Sequence, residues 1–225
     1  MKKITFLAAV LLSAASLADA GRVDVIRFTG MIDPMATQYV KRGIRAAETD
    51  GVECLVIQLD TPGGLDKSMR DIVQSIFASK VPVVVHVYPK GARAASAGTF
   101  IALAADVVAM SPGTNIGAAH PVDMSGKSAS EKVTNDAAAT IRSIAGKRKR
   151  DVKWAEQAVR ESKSITETEA LAKNITDIIA SDIPELLLKL DGRPVDRDKG
   201  KTTLKTKDAV VKEIPMKLNE KFFHA

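Results

Sequence analysis

Two hydrophobic periods take turns along this chain. The stretch "RVDVIRFTG" at 22–30 alternates apolar and polar residues and is rich in β-branched side chains, which predicts a first strand. Asp33-Pro34 then reads as an N-cap followed by proline at the first helical position. Met35, Tyr39, Val40, Ile44 and Ala47 follow at helical spacing, and Gly51 ends that helix. "ECLVIQL" (53–59) is a continuous apolar run of strand length, and Met69, Ile72, Val73 and Ile76 mark one face of the next helix. "PVVVHVY" (82–88) predicts another buried strand, "SAGTFIALAA" (96–105) a small-residue helix, and "VVAM" (107–110) a short strand. Strands and helices that alternate in this way predict an α/β domain with a mainly parallel sheet, flanking helices and right-handed crossovers. The second half is more helical. It has a helix opening at Ser130, a short helix around Trp154, and a capping-box pair at Thr166 and Glu169. A further helix, "DIPELLLKLDG", is stopped by Gly192. From Arg193 the chain turns polar and lysine-rich, with "KTTLKTKDAVVKEI" predicting a hairpin or an edge extension.

Composition refines this picture. The 225 residues suit one domain, and 45% apolar with 4% aromatic residues requires an aliphatic core, as parallel sheets have. The formal charge of +6 lacks the basic stripe with interleaved aromatics of a nucleic-acid binder. Its densest run, "KRKR" at 147–150, reads as a helix end, where cations favour the dipole. Residues 1–20 have a basic start, an apolar stretch from Ile4 to Leu17 and the small-x-small site Ala18-Asp19-Ala20. They read as a secretory signal peptide, so the mature chain is expected to be exported. Cys54, the single cysteine, lies in a buried-type strand and reads as an inert core thiol. Neither metal-ligand spacing nor a phosphate-binding loop is present, so no metal and no cofactor are expected.

Two stretches carry candidate chemistry. "LDTPGG" (59–64) leaves a strand through Gly63 and Gly64, whose freedom lets backbone N–H groups face a reacting carbonyl oxygen. "AASAG" places Ser96 among small residues at a strand-to-helix corner, a partial match to the G-x-S-x-G elbow because residue 94 is alanine. The bland readings are an ordinary turn and an ordinary helix cap. The Ala97 N–H is a further oxyanion donor at the head of that helix. A nucleophilic serine needs a base. His86 reads as structural, His224 lies in the polar tail, and His120 of "AAHPV" stays open. Lys132 is the other candidate. It sits in the first turn of a predicted helix, where the dipole disfavours a cation and so favours the neutral amine a base must be.

"LDTPGG", "VPVVVHVYPKGARAASAGTFIALAAD", "MSPGTNIGAAHPV" and "EKVTNDAAATIRSIA" together resemble the protease domain of NfeD-like proteins. These are membrane-associated relatives of the ClpP and signal-peptide-peptidase-A serine proteases, within the crotonase-like fold. The similarity runs from about residue 22 to 215. It implies a ClpP-like serine protease domain over 21–192 and a polar extension over 193–225 that leads, in longer relatives, to membrane helices. It further implies a Ser96–Lys132 dyad, with Gly63, Gly64 and Ala97 as the oxyanion hole and His120 as the alternative base. The implied substrates are apolar segments of membrane-associated, stomatin-type proteins. The implied assembly is a homodimer or larger, and the implied location is the periplasm or the outer face of the cytoplasmic membrane. Two other functions share these features: a non-catalytic scaffold for membrane-protein assembly, and a crotonase-like acyl-CoA enzyme with the same glycine cradle. Export argues against the latter, since acyl-CoA is a cytosolic metabolite.

Overall fold

The computed structural model describes residues 21–122, 126–197, 200–218 and 220; the expected signal peptide and His224 lie outside them. The chain runs β1 (Arg22–Thr29), α1 (Pro34–Asp50), β2 (Cys54–Asp60), α2 (Asp66–Ala78), β3 (Val83–Val87), β4 (Arg93–Ala95), α3 (Ala97–Ala104), β5 (Val107–Met110) and β6 (Asn115–Gly117). It continues with α4 (Glu131–Lys147), α5 (Val152–Arg160), β7 (Ser164–Thr166), α6 (Glu167–Ala172), β8 (Ile178–Ile179), α7 (Ile183–Leu190), β9 (Pro194–Arg197), β10 (Gly200–Thr203) and β11 (Val210–Glu213).

Six strands form one parallel sheet in the order β11-β1-β2-β3-β5-β8. Its central strands are buried on both faces because alternate residues enter two cores. Leu55, Ile57, Leu59, Val83, Val85 and Val87 face α1, α2 and α3, while Cys54, Val56, Val84, Val107 and Ala109 face Leu186, Leu187 and Leu190 of α7. Local signals set the helix ends. Asp33 caps α1 by accepting the Ala36 N–H at 2.7 Å, and Gly51 ends it in the left-handed region. Thr166 and Glu169 close the reciprocal capping box of α6.

The segment from Arg193 packs onto the body. β9 and β10 form an antiparallel hairpin, Val195 and Leu204 enter the second core, and β11 extends the sheet beside β1. A small second sheet, β4-β6-β7, stands at the carboxyl edge of the main sheet. Its link to β2 is a parallel bridge between Thr61 and Ala94. Among the described residues, no helix is long and apolar enough to cross a membrane.

Candidate active site

The turn after β2 is tied down on three sides. Asp60 Oδ1 accepts the Arg93 N–H at 3.0 Å, Thr61 N–H donates to Arg93 O at 2.8 Å, and Ala95 N–H donates to Thr61 O at 3.1 Å. The buried Thr61 hydroxyl then shapes the glycine pair. Its Oγ1 accepts the Gly63 N–H at 3.0 Å and donates to Gly63 O at 3.2 Å. Gly63 O also accepts the Ile32 N–H, and Leu65 N–H returns to Ile32 O, each at 2.8 Å.

These bonds separate the two glycines. The Gly63 N–H is engaged by Thr61, so it does not point at a substrate. What Gly63 supplies is space: a methyl there would lie 2.6 Å from Ser96 Cβ and 3.0 Å from Ser96 Oγ. Gly64 has an N–H without a partner among the described residues, and its missing side chain lets the Ile32 backbone pass.

Ser96 occupies the corner between β4 and α3, at φ 52° and ψ −117°. A non-glycine residue at positive φ is costly and persists only where its surroundings impose it. Here Ser96 N–H donates to Gly117 O at 3.0 Å, and Thr99 N–H donates to Ser96 O at 3.0 Å. Thr99 Oγ1 lies 2.9 Å from the carbonyls of both Ala94 and Gly117, locking the corner from behind. The Ser96 side chain does not cap α3, and its Oγ has no hydrogen-bond partner among the described residues. The ordinary-cap reading of Ser96 is therefore absent from the structure. Ala97 heads α3, whose first N–H groups have no helical acceptors. Among the described residues, Gly64 and Ala97, in the segments next to Ser96, thus keep backbone N–H groups without a partner.

Neither candidate base is hydrogen-bonded to Ser96. Lys132 lies in the first turn of α4 behind Ser130, exposed, and residues 123–125 on the approach to it are outside the described set. The half-buried His120 donates from Nδ1 to Val159 O at 2.9 Å, leaving Nε2 as its free nitrogen. His86 is structural: its Nε2–H lies 3.0 Å from both Ala180 O and Ser111 Oγ, deep in the sheet. Met31, Leu65, Val122 and Val133 are large apolar side chains left exposed. Met31 and Leu65 flank the Ile32–Gly64 bridge, Val122 follows His120, and Val133 follows Lys132.

Sequence reasoning missed Thr61, Gly98, Thr99 and Gly117. Gly98 lets α3 close on the turn, since a methyl there would meet Thr61 Cγ2 at 2.5 Å. Gly117 lets β6 pass the Lys163 carbonyl, which would stand 2.2 Å from an added Cβ. A threonine two residues before a glycine is a local turn signal that could have marked Thr61. The other three are set by contacts between distant segments.

The NfeD1b N-terminal domain family matches residues 22–213. Among curated relatives, the membrane-bound protease PH1510 of Pyrococcus horikoshii is 42% identical over 175 residues, covering 76% of this chain and 40% of that protein. The membrane protein NfeD1b of Bacillus subtilis is 34% identical over 138 residues, covering 61% of this chain and 31% of that one. The chain thus spans less than half the length of these relatives. A solved structure of the 1510-N membrane-bound stomatin-specific protease is similar over 91% of this chain and 96% of its own, with TM-score 0.87 and 36% identity. It holds a substrate peptide and has one lysine replaced by alanine. A second structure of that protease has a serine replaced by alanine and gives TM-score 0.84 with 37% identity, over 87% of this chain and 98% of its own. ClpP1 of Listeria monocytogenes, at 18% identity and TM-score 0.58 over 71% of this chain and 92% of its own, shows that the fold is ClpP-like.

Proposed function

We propose, because the chain belongs to the NfeD1b N-terminal domain family, that this domain is an exported serine endopeptidase acting on apolar segments of membrane-associated, stomatin-type proteins. One observation carries the reading. Ser96 is held at positive φ, and among the described residues its Oγ and the neighbouring N–H groups of Gly64 and Ala97 have no partner. That is the arrangement acyl transfer requires: a nucleophile on a rigid corner and two fixed donors for the oxygen that becomes negative.

In the proposed mechanism Ser96 Oγ attacks the scissile carbonyl carbon while the neutral amine of Lys132 takes its proton. The Gly64 and Ala97 N–H groups hold the oxyanion. The C–N bond breaks, the leaving amine receives the proton from Lys132, and an ester to Ser96 remains. Water, activated by the same amine, hydrolyses that ester. The lysine-to-alanine and serine-to-alanine variants of the solved relative support this choice of residue types. The exposed Met31 and Leu65, flanking the Ile32–Gly64 bridge, support an apolar substrate, because side chains of that size at a site's rim gain by covering apolar surface. A homodimer or larger assembly at the outer face of the cytoplasmic membrane belongs to the same proposal.

The test is hydrolysis of apolar peptides by the chain from Gly21, with fluorophosphonate labelling alongside. Ser96→Ala and Lys132→Ala are each expected to lower kcat/KM by about 10³-fold or more, and His120→Ala to keep most of it. A dead His120→Ala with an active Lys132→Ala would transfer the base to histidine. The exposed position of Lys132, without a hydrogen bond to Ser96 among the described residues, favours one second reading, a scaffold with little turnover. Absence of labelling at Ser96 and of cleavage across the peptides would establish it instead.

A further inference from the structure

On the sheet edge opposite Ser96, the basic run 147–150 meets the β9–β10 hairpin at the start of β3 and β5. Arg148 leaves the end of α4 and stacks over Phe77, with its guanidinium carbon 5.2 Å from the ring centre. Its Nε donates to Ala104 O at 2.7 Å and its Nη1 to Asp106 Oδ1 at 2.6 Å. Arg197 of β9 donates from Nη1 to the other oxygen of Asp106 at 3.0 Å and from Nη2 to Ser79 O. Asp106 Oδ2 also accepts the Val83 N–H at 2.8 Å. The neighbouring Asp177 repeats the pattern, receiving Arg150 at 2.9 Å, Arg193 at 2.8 Å and the Val108 N–H at 2.8 Å.

Four guanidiniums therefore share two carboxylates, and Asp106, Arg148 and Arg197 are largely withdrawn from water. Burial, with Arg197 and Arg150 close by, holds the Arg148 pKa below its ordinary value. Of these groups Asp106, Arg148 and Arg197 line a cavity of about 420 Å³, together with Phe77, Lys80 and Lys147. Such a volume lies in the range of small-ligand sites, roughly 300–1,000 Å³. Arg148 Nη2 and Arg197 Nε have no protein acceptor among the described residues. The exposed Lys80 adds a further cation at the rim.

We propose that this recess binds a phosphate-type anion, gripped by the remaining N–H groups of Arg148 and Arg197 with Lys80 at the rim. A phosphate presents several strong acceptor oxygens to two guanidinium forks, and its charge offsets the surplus that Asp106 alone leaves on Arg148 and Arg197. The anion is either free phosphate or the phosphodiester of a lipid headgroup. In both cases it is remote from Ser96: β3 alone separates the edges by roughly 15 Å at about 3.3 Å per residue. The site therefore stands whether or not the domain is a peptidase.

The test uses the purified chain with two probes: inorganic phosphate by calorimetry, and cosedimentation with phosphatidylglycerol–phosphatidylcholine vesicles against pure phosphatidylcholine. Saturable binding of either probe is expected. Arg148→Gln should weaken it about tenfold or more. Lys80→Gln, whose exposed side chain does not endanger folding, should weaken it at least about threefold. Lys212→Gln with Lys217→Gln, at the far end of the sheet, should leave it unchanged. Phosphate binding alone identifies a soluble ligand, and binding to the anionic vesicles without phosphate binding identifies a headgroup. Absence of both, or equal weakening by the remote lysine pair, would overturn the proposal.

Discussion

Gly63→Ala tests the site's geometry most directly, because the added methyl is aimed at the serine. It would sit 2.6 Å from Ser96 Cβ. Carbon atoms rest at about 3.5–4.0 Å, so the two must separate by about 1 Å. Neither side gives easily. Gly63 is held through its N–H to Thr61 and through its carbonyl to Ile32, and Ser96 is held through its N–H to Gly117. The backbone at Gly63 also has φ +122°, where a side chain costs about 1–3 kcal/mol. A shift of about 1 Å at a reacting centre costs on the order of 100-fold in rate. Gly51→Ala is the control. Gly51 also has positive φ, +61°, but an added methyl meets nothing within 4 Å, so only about 1 kcal/mol of backbone cost is expected. Urea unfolding should show both variants folded and destabilised. Peptide hydrolysis should show kcat/KM reduced about 100-fold for Gly63→Ala and nearly unchanged for Gly51→Ala. A Gly63→Ala enzyme within about threefold of wild type would refute the argument that this glycine faces the nucleophile.

Thr61→Val keeps the shape but removes the oxygen that accepts the Gly63 N–H, so the fold should lose about 1–3 kcal/mol and turnover should fall with it; unchanged urea midpoint and rate would contradict the role given to that hydroxyl. Burial, reinforced by Glu53 and Asp24, pushes the Cys54 thiol up to about 12. The folded chain should therefore resist a disulfide reagent at mild alkaline pH and react once unfolded in urea; rapid labelling of the native chain would count against a sealed core. Burial also holds His86 below its ordinary 6.5, and a proton on its buried Nδ1 would find no acceptor among the described residues. The unfolded chain then binds more protons than the fold as pH drops, so this contribution is complete above about pH 6.5 and lost below it. The urea midpoint should fall between about pH 7.5 and 5.5, and His86→Gln should fall less; equal declines would reject the assignment.

How much of this was legible depends on how local each cause is. The long strands and helices could be read because each carries its own signal: β2 is a run of aliphatics, α1 has Asp33 and Pro34 at its head, and α6 has its capping box. β4, β6 and β7 are three residues each, too short to show a period, and exist only because they pair across distant segments. β11 is exposed along its whole length, so no burial pattern announced its place beside β1. At the site, small neighbours marked the Ser96 corner, but two adjacent glycines look alike in sequence. Only the Thr61 and Ile32 contacts make Gly63 a spacer and leave Gly64 as a donor. The basic run shows the same limit energetically. A helix-end argument places cations at 147–150 for roughly 0.3–1 kcal/mol each. Breaking a buried ion pair costs about 3–5 kcal/mol, several times more. Asp106 and Asp177, contributed from the starts of β5 and β8, therefore decide where Arg148 and Arg150 point. They turn part of a run that reads as a helix end into the wall of a cavity.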